Sequence, residues 1–251
     1  MNMIKTNNID NNARHLLMLP SDGNSSVKLR QVALIHKMYG LGYDCQRQLL
    51  SILLSRQEDR SIQISDVDGL IFELLLESNY YSITNDLNQL LSSGIVTLES
   101  AIGIDYSGLQ QLLVSKQFQK ADKLTQSLLC NLAQRNGRHA RKWLYFTDVS
   151  SMPVVDLLTI DKLWQVHSKG LFGLSIQRDI WLSTNSDWEK FWSKIGWKVN
   201  DVNCRYPHEF VWNVTAPPGH LPLFNQLRGV QVLAALFTHP AWHETSDKKS
   251  Y

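Results

Sequence analysis

The sequence predicts a mainly α protein built as an N-terminal helical bundle followed by a larger helical core. Apolar residues recur at helical rather than alternating spacing along most of the chain. Composition changes near residue 100, because all eight tryptophans lie beyond residue 142. Charge changes there as well, since residues 1–100 carry 8 Lys and Arg against 11 Asp and Glu, whereas residues 101–251 carry 17 against 12. These observations predict two domains that meet near residue 100.

Size and composition exclude several classes of protein. The 251 residues are 43% hydrophobic and 19% charged, with a net charge of +2, so a surface that follows nucleic-acid phosphates is not expected. The three cysteines are far apart and form no CxxC motif, which argues against a disulfide framework or a zinc site. No apolar run reaches the ~18–20 residues of a membrane span. We expect a soluble protein from a reducing compartment.

The chain is predicted to divide into four segments. A polar tail over 1–26 is expected to be disordered, because it is rich in Asn and its apolar stretch at 15–19 is too short for a secretory signal. It also lacks the Arg-rich, acid-poor character of a transit peptide. The bundle then covers 27–100, the core covers 101–243, and a second polar tail covers 244–251.

Four short helices are predicted in the bundle. The first covers 27–36 and ends before Gly40-Leu-Gly42, because glycine is unfavourable inside a helix. The second covers about 43–57. Ser65 is a plausible N-cap for the third, with Asp66 and Asp68 in its first turn. The fourth covers about 84–93 and ends at Gly94. These helices carry no chemical motif, so we interpret the bundle as a scaffold.

The core is predicted to contain further helices and one long loop. Helices are predicted over 107–115, 118–133, 175–183, 186–195 and 223–237. Asp105 is the predicted cap of the first of these, and Thr159 is predicted to cap one further helix. The basic segment 134–142 is predicted to be a loop, and Trp143–Thr147 a strand-like turn. Between Gly196 and Pro222 lies a loop of about 27 residues that is rich in aromatic residues. Loops of this length in a compact domain are usually functional or disordered, and this one is too aromatic for disorder.

No catalytic motif is present. The sequence lacks GxSxG, HExxH, a P-loop and a dinucleotide-binding glycine motif. His239 and His243 are four residues apart, but Pro240 disfavours the helix that a metal pair would need. His167 is interpreted as a core histidine and His220 as a residue that fastens the loop by a hydrogen bond. Cys204 has no nearby base and is interpreted as a bystander.

Large aromatic side chains lie beside isolated arginines in the core. Arg205 and Tyr206 lie inside the long loop, and Arg228 follows it. One interpretation is structural: tryptophans fill a helical core, and the arginines snorkel or pair with Asp156 and Asp161. The other is a cleft for a large, flat, apolar molecule with carboxylates at its edge.

Eight short runs of this half carry a recognisable pattern: Gly103–Tyr106, Trp143–Val149, Leu163–Ser168, Phe172–Ser175, Gln177–Leu182, Lys194–Lys198, Ala216–Val230 and His239–Trp242. They resemble the motifs of the genomes-uncoupled-four family of tetrapyrrole-binding activators of magnesium chelatase. They occur in order over about 140 residues. The run AP-GHLPL-NQLRGV is the most specific of them. The first 100 residues resemble the extra bundle of some members by arrangement rather than by motif.

The resemblance implies a core shaped like a cupped hand, with an apolar palm for the pigment and the loop of residues 197–222 as a flap over it. The implied porphyrin contacts are Phe146, Val149, Arg205, Tyr206, Phe210, Leu221, Leu223, Asn225, Arg228 and Gln231. Tyr206 stands where relatives carry a stacking tryptophan, and Arg205 and Arg228 match arginines that meet propionates. Asn203 and Gln231 depart from the family, which has tryptophan and arginine there, so affinity is expected to differ.

The resemblance also implies a function without catalysis. The chain is expected to bind protoporphyrin IX and Mg-protoporphyrin IX and to stimulate magnesium chelatase in chlorophyll biosynthesis, with no bound metal and no catalytic cofactor of its own. Expected partners are the porphyrin, the large chelatase subunit and a membrane surface, but not nucleic acid. The chloroplast stroma is the expected location, with a plastid gene; the alternative is a cyanobacterial cytoplasm. The alternative function is a helical adaptor whose aromatic cleft binds another protein and no pigment.

Overall fold

The computed structural model describes residues 15–19, 25–59, 62–92, 94–134, 143–224 and 230–243. The chain divides into two compact units, Met1–Ile95 and Val96–Tyr251. The division lies five residues before the boundary placed at residue 100 from composition and charge. Within the described ranges, no helix has both the length and the apolar character needed to cross a bilayer.

Over its described residues, the first unit contains a bundle of four helices of 10–16 residues. Its helices are α1 (Ser25–Gly40), α2 (Tyr43–Glu58), α3 (Asp66–Leu76) and α4 (Tyr81–Leu90). Helix α3 packs on each of the other three. Helix α1 extends four residues beyond the predicted end at residue 36 and includes Gly40, whereas Gly42, with a positive φ of 98°, precedes α2 as predicted. Ser65 caps α3 in a reciprocal capping box with Asp68.

The predicted disordered tail is wrong for residues 15–19. Residues 15–18 form a helical turn, and Leu17 is only 1% exposed. The backbone carbonyls of this turn accept hydrogen bonds from two buried side chains of the bundle. Gln31 Nε2 donates to the carbonyls of Leu16 (3.0 Å) and Leu19 (2.9 Å), and Arg56 Nη1 donates to that of Leu17 (2.8 Å). The apolar stretch in the polar N-terminal segment therefore belongs to the core of the bundle.

The second unit is also mainly helical. Its helices are α5 (Ser107–Val114), α6 (Phe118–Gln134), α7 (Phe146–Val149), α8 (Val154–Val166), α9 (Leu174–Ser183), α10 (Trp188–Lys194) and α11 (Gln231–Phe237), with a 3-10 turn at Pro240–Trp242. The two short strands β1 (Lys198–Val199) and β2 (Val202–Asn203) pair antiparallel. Asn200 and Asp201 connect them with positive φ angles of 49° and 62°, as a tight hairpin turn requires.

Aromatic side chains fill the interior of this unit in two groups. Trp164, Phe118 and Phe172 are fully buried, with ring centroids 5.5–6.4 Å apart. Phe237 meets Trp181, Trp188 and Phe191 at 5.6–6.0 Å and so joins α11 to α9 and α10. Ring pairs at these separations are favourable beyond the area they bury.

Three predicted elements differ in the structure. Residues 146–149 form a helical turn rather than a strand-like one, because Asp148 Oδ2 accepts the Tyr145 N–H (3.0 Å) and closes the turn. Helix α8 begins at Val154 after Pro153, and Thr159 lies in its interior with its hydroxyl donated to the Glu99 carbonyl. The helix predicted over 223–237 is described only as Gln231–Phe237. The predicted loop at 134–142 and the tail at 244–251 lie largely or wholly outside the described residues.

Candidate functional site

The short helix α7 carries an exposed aromatic surface. Phe146 is 48% exposed, and Trp143 and Tyr145 just before it are exposed to a similar degree. Val149, at the end of the same turn, is buried. Helix α7 packs against α11, which begins at the exposed Gln231. The structure therefore brings Phe146 and Val149 next to the helix of Gln231.

The long loop is fastened to the core by His220. Its buried ring donates through Nδ1 to the Ile195 carbonyl (2.7 Å), and Nε2 accepts the Val211 N–H (3.1 Å). The indole of buried Trp197 donates to the His220 carbonyl (2.8 Å). Burial lowers the pKa of His220, which keeps the ring neutral and able to accept at Nε2. The predicted loop-fastening role of His220 is confirmed.

The same loop presents a second aromatic group. The Trp212 ring lies 5.9 Å from Tyr206 and 6.4 Å from Phe210, and its indole donates to the Pro207 carbonyl (2.9 Å). Tyr206 is 52% exposed, whereas Phe210 is largely buried against His220. The loop is therefore ordered around its own aromatic residues and leaves one face of Tyr206 accessible.

The described arginines have different surroundings. Arg56 is buried against Asp68, and Arg178 donates to the Phe237 carbonyl (2.9 Å). Arg205 is exposed, as Arg30 and Arg47 are, and its backbone N–H donates to Glu209 (2.7 Å). An exposed guanidinium on this ordered loop can meet an anionic ligand.

The segment 219–224 connects the loop to the last predicted contacts. Leu221 is fully buried and Leu223 nearly so, and both belong to the packed interior. Gly219 has a φ of 77°, and a Cβ there would lie 2.8 Å from Ile180, so only glycine fits. Asn225 and Arg228 lie outside the described residues.

Side chains that sequence reasoning did not single out hold this segment. Gln177, on α9, donates through Nε2 to the carbonyls of Gly219 (2.9 Å) and Pro222 (2.7 Å). Asp122, on α6, accepts the Leu223 N–H (2.7 Å), and Gln126 donates to the Leu223 carbonyl. One signal was available: Asp122, Thr125, Leu129 and Leu132 share the buried stripe of α6, where a carboxylate needs a partner.

The proposed arginine partners Asp156 and Asp161 have neutral donors instead. Asp156 accepts the Tyr106 hydroxyl (2.7 Å) and the Ala101 N–H (3.0 Å). Asp161 accepts the Ser175 N–H (2.9 Å) and the Gln165 amide (2.6 Å). Arg205 is exposed and pairs with neither carboxylate, so the pairing predicted by the structural interpretation is wrong for that arginine, whereas an exposed head group is what snorkelling predicts. Arg228 lies outside the described residues, so its pairing stays a prediction.

His167, His239 and Cys204 have structural surroundings. His167 is fully buried, as predicted, and burial, helped by the charge of Lys116, lowers its pKa to about 3. His239 Nδ1 accepts the Ala241 N–H (3.1 Å), and Nε2 lies 3.2 Å from the Met152 carbonyl, so both ring nitrogens are used within the fold. Burial raises the pKa of Cys204, which disfavours the reactive thiolate.

The chain matches known proteins over the second unit and, in some relatives, beyond it. The family model described as GUN4-like matches residues 99–240, more than half of the chain. An uncharacterized ycf53 protein from Pyropia yezoensis is 53% identical over 196 residues, covering 78% of this chain and 82% of that protein. The chloroplastic tetrapyrrole-binding protein of Arabidopsis thaliana is 39% identical over 150 residues, covering 55% and 56%. The solved structure of GUN4 from Chlamydomonas reinhardtii has a TM-score of 0.54 and 41% identity, covering 59% of this chain and 95% of that structure.

Proposed function

Since the chain belongs to the GUN4-like family, we propose that it binds a tetrapyrrole and acts in chlorophyll synthesis as a porphyrin carrier or regulator. The match over residues 99–240 is the observation that carries this proposal. The Arabidopsis relative is named a tetrapyrrole-binding protein, which supports the same ligand class. The exposed aromatic side chains of Phe146 and Tyr206 provide surfaces for a flat, apolar molecule.

Protoporphyrin IX and Mg-protoporphyrin IX are the proposed ligands. The proposed contacts are Phe146, Val149, Arg205, Tyr206, Phe210, Leu221, Leu223, Asn225, Arg228 and Gln231. Of these, the exposed Phe146, Tyr206, Arg205 and Gln231 can meet a pigment directly. The others would form the wall and floor beneath it, or follow segment 219–224.

Apolar burial alone does not provide useful affinity. A porphyrin that loses on the order of 400 Å² of apolar surface gains ~10 kcal/mol at ~25 cal/mol per Å². Association costs ~4–15 kcal/mol, so little of that gain remains. Charge-assisted bonds between arginine and propionate would then decide both the affinity and the orientation of the ring.

The proposed role is regulatory rather than catalytic. The polar side chains described around the loop hold backbone groups, as His220, Gln177 and Asp122 do, and are not arranged as nucleophile and base. We propose stimulation of magnesium chelatase through its large porphyrin-binding subunit, with peripheral membrane association. The chloroplast stroma is the proposed location, supported by the chloroplastic relative.

Titration with protoporphyrin IX tests this function. The pigment absorption band should shift on binding, and tryptophan emission should fall, because six of the eight tryptophans lie within 164–212. Phe146→Ala should weaken binding. Leu182→Ala is the matched control, because Leu182 is a similarly exposed apolar residue outside the proposed site. No spectral change at micromolar pigment would contradict the proposal and favour the adaptor function.

A further inference from the structure

Side chains from two helices bond the backbone of segment 219–223. Gln177, from α9, bonds the carbonyls of Gly219 and Pro222. Asp122 and Gln126, one turn apart on α6, bond the N–H and carbonyl of Leu223. Gln177 and Asp122 are buried, so these bonds are shielded from competing water.

Asp122 differs from the other buried carboxylates of the unit in what it holds. Asp156 holds residues 100–106, at the start of the unit. Asp161 holds the first turn of α9. Asp122 holds Leu223, which lies among the proposed pigment contacts and two residues before Asn225.

We propose that Asp122 is a positioning residue for pigment binding, which fixes Leu223, one of the proposed pigment contacts, by accepting the Leu223 N–H. This inference rests on the proposed porphyrin binding. Without the acceptor, the Leu223 N–H would be buried and unsatisfied, and the segment would shift to reach water. Such a shift would move the pigment contacts without removing any of them.

The acceptor oxygen matters here rather than the negative charge. Burial raises the pKa of Asp122 to about 7, so the group is often neutral near physiological pH. A neutral carboxyl group still offers an oxygen to the Leu223 N–H. Asparagine offers the same oxygen in a side chain of nearly equal size, so it should replace Asp122 in this role.

Four variants of the full chain test the proposal with protoporphyrin IX, each measured for Kd and for thermal unfolding. Asp122→Ala should weaken binding about tenfold or more, a loss of ~1.4 kcal/mol or more. Asp122→Asn should bind within about threefold of the parent. Gln126→Met removes the other bond to Leu223, keeps the side-chain length, and should weaken binding at least threefold. Asp156→Ala should lower the melting temperature and leave Kd within threefold.

The outcomes separate this inference from the function it rests on. If the parent chain binds no porphyrin, the proposed function is wrong and this inference with it. If the parent chain binds porphyrin and the Asp122→Ala and Gln126→Met variants both bind it as tightly as the parent, only the positioning role is wrong. An Asp156→Ala variant that loses as much affinity as Asp122→Ala would also overturn it, because general destabilisation would then explain both. An Asp122→Asn variant that binds porphyrin as weakly as Asp122→Ala would also overturn the positioning role.

Discussion

The two units hold their buried charges in different ways. In the first unit, the buried Arg56 guanidinium lies against the buried Asp68 carboxylate, with a bond of 3.0 Å from Nη2 to Oδ2. In the second, the buried carboxylates of Asp122, Asp156 and Asp161 accept bonds from backbone N–H, hydroxyl and amide groups. The first arrangement fixes two helices to each other, whereas in the second Asp122 and Asp156 fix non-helical segments to helices and Asp161 fixes the first turn of α9. This difference is expected if the first unit is a scaffold and the second positions the proposed binding surface.

The largest effect is expected from breaking the ion pair of the first unit. Arg56→Ala should destabilise the bundle by ~3–5 kcal/mol, because it strands the Asp68 carboxylate and frees the Leu17 carbonyl. Urea unfolding followed by circular dichroism measures this. Arg47→Ala is the control, because the Arg47–Asp86 pair is exposed and should contribute little. If the Arg56→Ala and Arg47→Ala variants unfold at the same urea concentration, the contrast between the buried charges of the two units is wrong.

In the second unit, an equivalent change should affect binding rather than stability. If Arg228 meets a propionate, Arg228→Ala removes a charge-assisted bond worth ~1.5–3 kcal/mol, or about 10- to 150-fold in Kd. Its melting temperature should stay near that of the parent. A large fall in melting temperature would instead make Arg228 the partner of a buried carboxylate.

Gln231 provides a gain-of-function counterpart to Arg228. It is exposed at the start of α11, beside the helix of Phe146. Gln231→Arg should therefore tighten porphyrin binding by adding a charge near the proposed propionates. Gln231→Met is the matched variant without charge, and equal tightening by both would exclude an electrostatic cause.

Helix periodicity and turn residues were sufficient to predict most of this fold. Ser65 and Gly42 placed helix ends close to those observed, because capping is encoded within a few residues. The turn at 146–149 is too short for periodicity to distinguish it from a strand. Segment 219–224 could not be predicted, because Asp122 lies 101 residues from Leu223. Bonds between such distant residues leave only a weak local signal, such as a carboxylate on an apolar stripe.

Asp122 and two buried histidines make the stability of the second unit depend on pH. The pKa of Asp122 in the folded chain is about 7, above its value of ~3.8 in an unfolded chain, so folding binds a proton between these values. Asp122 should therefore contribute a stability that falls by up to ~1.4 kcal/mol per pH unit as pH rises from ~4 to ~7. Burial lowers the pKa of His220 and His239, which makes stability fall as pH drops below ~6.5.

The Asp122→Asn variant isolates the first of these two contributions. Its histidines are unchanged, so the difference in unfolding free energy between parent and variant should depend on Asp122 alone. We expect the unfolding free energy of the variant, relative to that of the parent, to increase from pH 5 to pH 8. Urea unfolding at both pH values measures this difference. A difference that does not change with pH would mean that Asp122 is ionised throughout this range.

The smallest effect is expected from removing the first unit. The four helices pack on one another, and Gln31 on α1 and Arg56 on α2 bond residues 15–19. The buried polar groups Gln31, Arg56 and Asp68 are thus bonded within the unit. The proposed pigment contacts all lie beyond residue 145. A chain that begins at Val96 should therefore bind protoporphyrin IX within about a factor of three of the full chain, although its melting temperature should be lower. Complete loss of binding in a truncated chain with a native-like helical spectrum would show that the bundle contributes to the site, and the division into scaffold and binding unit would be wrong.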